Sequence, residues 1–206
     1  RMRNYGYDMY NRIERSVLLT YSDRECSMEN FMQMQYIAYL EYDEYGNALE
    51  QTIDTYVWED GKDMLNLDEM LGEAGAADYQ TRISGVIDEC EIVDHKRITN
   101  VYTDKKAQYK GNASITNTLR YADTAELETI DKNVMTTTLF ERGNAMDQVS
   151  ENYFFDITTD RFVLTSRSVI KNRDYSNNGD AGRQAITTFQ MEYQKDANGD
   201  YVIAAD

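Results

Sequence analysis

Apolar residues recur along this chain with two different periods. In residues 5–21, YGYDMYNRIERSVLLTY, Met9, Ile13, Val17 and Leu18 fall close to helical spacing, which predicts a helix with one apolar stripe. Ser22 and Glu25 have the separation of a capping box and predict the start of a second short helix. From Met32 the pattern changes to MQMQYIAYLEYDEYGNALEQTIDTYVW, rich in the Tyr, Ile, Thr and Val side chains that suit a pleated surface. Gly46-Asn47 interrupts it, a two-residue hairpin signal. Leu49, Ile53 and Val57 are the expected buried face of the second strand, with Glu50, Asp54 and Trp58 between them.

Residues 66–93 return to helical spacing through Leu67, Met70, Leu71 and Ala74, then Ile83, Val86 and Ile87. Gly72, Gly75 and Gly85 break the run, so two short helices or one broken helix are expected. Beyond Ile98 the chain reads as strand after strand: ITNVYTD, ASITNTLRY, NVMTTTLFE, QVSENYFFDIT, RFVLTSRSVIK, AITTFQMEYQK and DYVIAA. Gly111-Asn112, Gly143-Asn144, Thr159-Asp160, Asn178-Gly179 and Asn198-Gly199 separate them. Connections this short permit only antiparallel pairing.

These elements predict a single α+β domain over 1–206: a helical segment at 1–31, a hairpin at 32–60, a second helical segment at 64–94 and a meander at 98–206. The expected architecture is a curled, mostly antiparallel sheet of six to nine strands, with two or three helices on its concave face. The shape would be that of a cone or half-barrel. Cone-shaped folds of the nuclear-transport-factor-2 type share this general order, as do, more loosely, half-barrels that carry lipids. The analogy is architectural, and no motif carries it.

Charge narrows the partners. The formal net charge is −16, and residues 41–94 hold sixteen acids against Lys62 and Arg82. Such a surface repels phosphate backbones, so nucleic acid is disfavoured as a partner, while a basic partner or divalent cations would be attracted. No apolar run is long enough to span a membrane. The chain starts at Arg1, and the expectation drawn is an extracytoplasmic bacterial protein, secreted, lipid-anchored or tethered, touching a membrane only through a removed N-terminal anchor. Proline is absent among 206 residues, so Gly, Asn and Asp must make every turn.

Few residues invite chemistry. Asp196, Asn198 and Asp200 alternate as in a calcium loop, but Tyr201 stands where that loop needs Gly and the chain ends before its final Glu. Asn198-Gly199 reads as a hairpin turn. Cys26 and Cys90, the two cysteines, form a candidate disulfide outside the cytoplasm, worth about 4 kcal/mol in the chain-entropy model. His95, the single histidine, lies in DECEIVDHKR. It has too few Cys or His companions for zinc and reads as a solvated side chain. Dinucleotide, P-loop, GxSxG and HExxH motifs are missing, so no catalytic residue, metal or cofactor is assigned. Tyr42, Asp43, Glu44 and Tyr45, in YLEYDEYGN, form the candidate interaction tip, because tyrosine combines contact area with a polar handle.

The reading that follows is a non-enzymatic interaction module of a bacterial envelope or surface protein, its acidic face meeting an unknown protein. Two alternatives are a carrier of a small apolar ligand or lipid, and a hydrolase or isomerase with paired carboxylates in a cone-shaped pocket.

Overall fold

A computed structural model describes residues 1–26, 30–59, 67–72, 78–176, 179–195 and 201–203. Ten strands form one open antiparallel sheet: β1 (Met2–Tyr7), β2 (Ile13–Tyr21), β3 (Phe31–Tyr42), β4 (Ala48–Trp58), β5 (Cys90–Val101), β6 (Ile115–Tyr121), β7 (Thr129–Glu141), β8 (Asn144–Asp156), β9 (Arg161–Tyr175) and β10 (Ala181–Gln190). Their order in the sheet is their order in the chain, so β1 and β10 are its two edges. Three short helices are α1 (Leu67–Leu71), α2 (Tyr79–Ile87) and α3 (Lys105–Tyr109). A separate hairpin pairs β11 (Tyr193–Lys195) with β12 (Tyr201–Ile203). The mostly antiparallel α+β class holds, with ten strands where six to nine were expected. The Asn198-Gly199 turn lies outside the described residues.

The chain packs as two compact units. The first comprises residues 1–42, 50–97 and 121–128. Its core is the cluster Tyr5, Val17, Leu19, Met34, Tyr56, Leu71, Tyr79, Ile83 and Val86, all nearly or fully buried. Tyr79, Ile83 and Val86 recur at i, i+4 and i+7, which puts all three on one face of α2. Burying side chains of this size stabilises by about 1.5–3 kcal/mol each. Met70, Ile87, Cys90, Ile92 and Trp58 pack around the cluster.

The helix expected over 5–21 is replaced by β1 and β2. The Asp8 carboxylate accepts the Tyr10 and Arg12 amides, at 2.8 and 2.9 Å, and Asn11 takes a left-handed φ of 61°. That turn breaks any helix, and Met9, the first residue of the supposed stripe, lies 89% exposed. Alternation then sends Val17 and Leu19 inward. Ser22 starts no helix, because its hydroxyl donates to Asn30 across the β2–β3 connection. In β4 the core takes Tyr56 and Trp58 rather than Val57, so the hairpin was right and its buried face was not.

The second unit comprises residues 43–49, 98–120 and 129–206. Asp104 caps α3 by accepting the Ala107 amide at 2.8 Å, and Ala107 is fully buried. Gly143, at φ +83°, turns β7 into β8 with its Cα against the Lys106 carbonyl; a Cβ there would sit 2.6 Å from that oxygen. The long strands β7–β10 are joined by polar side chains more than by an apolar layer. Asn133 donates to Asn152 at 2.7 Å and Asn152 to Ser166 at 2.9 Å. Gln184 donates to buried Asn172 at 2.9 Å, and Asn172 donates to Gln148 at 3.2 Å. The Ser168 and Thr188 hydroxyls share a bond of 2.9 Å.

Three of the turns share one pattern of backbone bonds. Asp8, Asp43 and Ser176 each accept the amide three residues on through the backbone carbonyl, and each donates its own amide to the carbonyl four residues on. Each is closed by a left-handed residue, here Asn11, Gly46 and Gly179.

Candidate functional site

The four residues of the candidate tip divide between the units, with Tyr42 in the first and Asp43, Glu44 and Tyr45 in the second. The Tyr42 hydroxyl donates to the Ile13 carbonyl, and its ring lies under the Arg12 guanidinium at 4.8 Å. The Asp43 carboxylate is consumed locally, accepting from the Tyr45 and Asn47 amides and from the side chains of Asn47 and Gln108. Burial pushes its carboxyl upward, and these hydrogen bonds, led by Gln108, outweigh it and hold the group below the usual aspartate range. Tyr45 stays exposed and meets exposed Tyr109 edge-on at 6.0 Å. The Glu44 carboxylate beside it pushes its phenol up. The tip therefore presents an aromatic pair, with Asp43 serving the turn.

Cys26 and Cys90 are thiols, with no disulfide joining them. His95 is not solvated. It is 5% exposed, with Nδ1 hydrogen-bonded to Asp54 and Nε2 lying 3.2 Å from a Glu126 oxygen. Arg97 approaches the same Glu126 oxygen at 3.0 Å and Glu50 at 3.5 Å. The turn between β6 and β7 supplies Glu126. There Asp123 accepts the Leu127 and Glu128 amides, and Glu126 itself is held at a left-handed φ of 60°. Burial and then the Asp54 carboxylate push the Tyr56 phenol up; burial and then Glu126 do the same to Tyr121. Sequence inspection missed this cluster because its acids lie 41 and 31 residues away from His95. Those acids meet opposite ring nitrogens, so they do not converge on one ion, and no metal-holding group of His, Cys, Asp and Glu exists among the described residues.

Carboxyl shifts elsewhere share one direction. Asp8, Asp43, Asp123 and Asp156 all fall below their ordinary value, Asp156 to about 2 through the Thr158 hydroxyl and amide. Each accepts turn hydrogen bonds in its ionised form. An acid catalyst at neutral pH needs the opposite shift, which no carboxyl with a resolved shift among the described residues has.

Within the second unit, Phe162, Tyr193, Tyr201, Thr159, Arg161, Val163 and Leu164 line an open cleft of about 250 Å³. Tyr201 meets Phe154 and Tyr193 edge-on at 5.7 and 6.1 Å.

The other surface feature is β10. All ten of its residues are exposed, including Ile186 at 58% and Phe189 at 51%. It pairs with β9 from Ala181↔Tyr175 to Gln190↔Ser166 without a register shift. Met191, one residue on, donates its amide to the Thr165 carbonyl at 2.8 Å. Antiparallel ladders alternate, so the odd-numbered residues of β10 turn their amides and carbonyls toward β9. Gln184, Ile186, Thr188 and Gln190 turn theirs to the open edge; at Gly182 the alternation breaks, because Ser176 donates to the Asp180 carbonyl across the same pairing and Asp174, opposite Gly182, takes a left-handed φ of 57°. No proline blocks this edge, and its one charge, Arg183, is paired with Asp174. Native edge strands are usually shortened, bulged or charged to prevent pairing, and the paired Arg183 is the one such protection in β10.

No known family model matches the chain, and no curated protein matches it in sequence. A solved structure of a protein of unknown function from Bacteroides fragilis is similar over 82% of this chain and 88% of that one, at 13% identity and a TM-score of 0.36.

Proposed function

We propose that this chain is a non-enzymatic interaction module of a bacterial envelope or surface protein that engages its partner by strand addition at β10. The observation that carries the reading is the fully exposed edge of β10, whose one charge is the paired Arg183, with the backbone groups of Gln184, Ile186, Thr188 and Gln190 turned outward. Backbone pairing supplies affinity, and Ile186 and Phe189 on opposite faces supply side-chain contacts. The interface is placed here rather than at Tyr42–Tyr45 because the Asp43 carboxylate is already committed to its own turn.

Selection of a linear peptide library on sparsely immobilised protein tests this. Ile186→Pro removes one outward amide without touching the β9 ladder. Selected peptides should bind that variant at least about tenfold more weakly than the parent. Peptides that bind both equally, or no peptides at all, overturn the proposal.

The cleft of Phe162, Tyr193 and Tyr201 favours a second reading, a carrier of a small apolar ligand. Its size lies below the roughly 300–1,000 Å³ of drug-sized sites, so only a small ligand would fit. Titration with a fluorescent apolar probe, quenched by Tyr201→Ala, would support it; a signal unchanged by that substitution would remove it.

A further inference from the structure

Resting on the strand-addition reading, we infer that the strand received by β10 is β10 of a second copy, paired antiparallel about a twofold axis at Ile186. Within β10, Gln184, Ile186, Thr188 and Gln190 present backbone groups outward, so an antiparallel strand added there must place its own outward residues opposite these. Two identical strands related by a twofold axis meet this condition from Gln184 to Thr188, because each outward residue there faces another. Centred on Ile186, the hydrogen-bonded pairs are Ile186 with itself and Gln184 with Thr188. About six backbone hydrogen bonds result, two for each of the three facing pairs.

Side chains choose this register among the alternatives. Gln184 is already bonded to Asn172, and Thr188 to Ser168, so each is the end of a polar row that reaches the edge. Opposing them across the axis joins the rows of both copies. On the same face Ile186 meets Ile186. On the other face Arg183 lies opposite Phe189, a cation over a ring, and Ala185 opposite Thr187. Moving the axis by one residue to Ala185 sets the Gln184 amide against Ile186, and moving it to Thr187 sets Ile186 against Thr188.

Charge permits this contact despite the overall −16. Residues 161–190 hold five basic side chains and two acidic ones, while the excess acid lies in residues 41–94. The two Arg183 side chains would stand six positions apart along the strands, roughly 20 Å. That exceeds the screening length of about 8 Å at physiological salt, so they do not repel appreciably.

Sedimentation equilibrium of the parent over a concentration series should give a reversible dimer, and Ile186→Lys, which sets two ammonium groups face to face, should weaken it at least about tenfold. In a Cys26→Ser, Cys90→Ser background, Ile186→Cys should crosslink under mild oxidation because facing hydrogen-bonded residues lie about 5.5 Å apart. Thr188→Cys should stay uncrosslinked, its twofold mate being roughly 13 Å along the strand. Position 186 is solvent-exposed, and an unchanged circular dichroism spectrum certifies the variants as folded. Crosslinking at 188 instead of 186 overturns the register, and a mass series beyond the dimer overturns the twofold arrangement. A monomer that still binds selected peptides through β10 overturns self-pairing and leaves strand addition standing. A monomer that binds none overturns both.

Discussion

Glu126→Gly sets two opposing effects against each other, and their sum has a sign that can be measured. Glu126 sits at φ 60°, where an L side chain costs about 1 kcal/mol that glycine does not. Against this gain, the substitution removes the carboxylate 3.2 Å from His95 Nε2. The His95 side chain is only 6% exposed, so a buried ring nitrogen left without its partner costs about 2 kcal/mol. Arg97 loses a contact of 3.0 Å, but with side chains 39% and 25% exposed the pair is worth about 0.5 kcal/mol. The net expectation is destabilisation by about 1.5 kcal/mol, or roughly 3–6 °C in Tm for a chain of this length. Trp58 is the single tryptophan and packs on the core of the same unit, so its fluorescence during urea unfolding reports the event. With His95→Phe in place the sign should reverse, Glu126→Gly then stabilising by about 0.5 kcal/mol. A Glu126→Gly chain more stable than its parent, at unchanged urea slope, would refute the claim that the His95 cluster holds this turn in place.

Other substitutions probe the fold at separate points. Gly143→Ala combines a left-handed backbone with a Cβ 2.6 Å from the Lys106 oxygen and should cost about 3 kcal/mol by urea denaturation. Leu19→Ala, in the buried core of the first unit, should cost about 3 kcal/mol in the same assay. Asp156 falls from 3.8 to about 2 on folding, so its contribution is complete above the unfolded value and fades as pH drops toward 2. Asp156→Asn should therefore flatten the acid limb of the stability profile, and an unchanged limb would argue against the Thr158 bonds. Protein purified without reductant and then unfolded should titrate two thiols, from Cys26 and Cys90; none would restore the bridge.

Much of the architecture was readable from local chemistry. The strands from Ile98 onward follow from β-branched and aromatic runs punctuated by Gly, Asn and Asp, and β6 to β9 fall close to the stretches so marked. The β3–β4 hairpin follows from Gly46-Asn47. The first twenty residues misled because Met9, Ile13, Val17 and Leu18 suit a helix by spacing alone, while Asp8-Met-Tyr-Asn11 is a turn whose signal needs the capping carboxylate to be recognised. That same signal recurs as Asp43-Glu-Tyr-Gly46, so one repeated turn was hidden in two places. His95 was misjudged because its carboxylates are distant in sequence and burial leaves no local mark. The exposure of β10 was equally unreadable, since AITTFQ alternates no more clearly than the buried strands do.

Because strand order repeats chain order, each strand of the sheet borders only those before and after it. A meander of this kind can lengthen or shorten by whole hairpins at its ends without rethreading what remains. It also gives unfolding a direction, because the outermost strand can peel away before its inner neighbours are disturbed. In the monomer, hydrogen exchange should then grade from the sheet's edge strands inward instead of rising as one block.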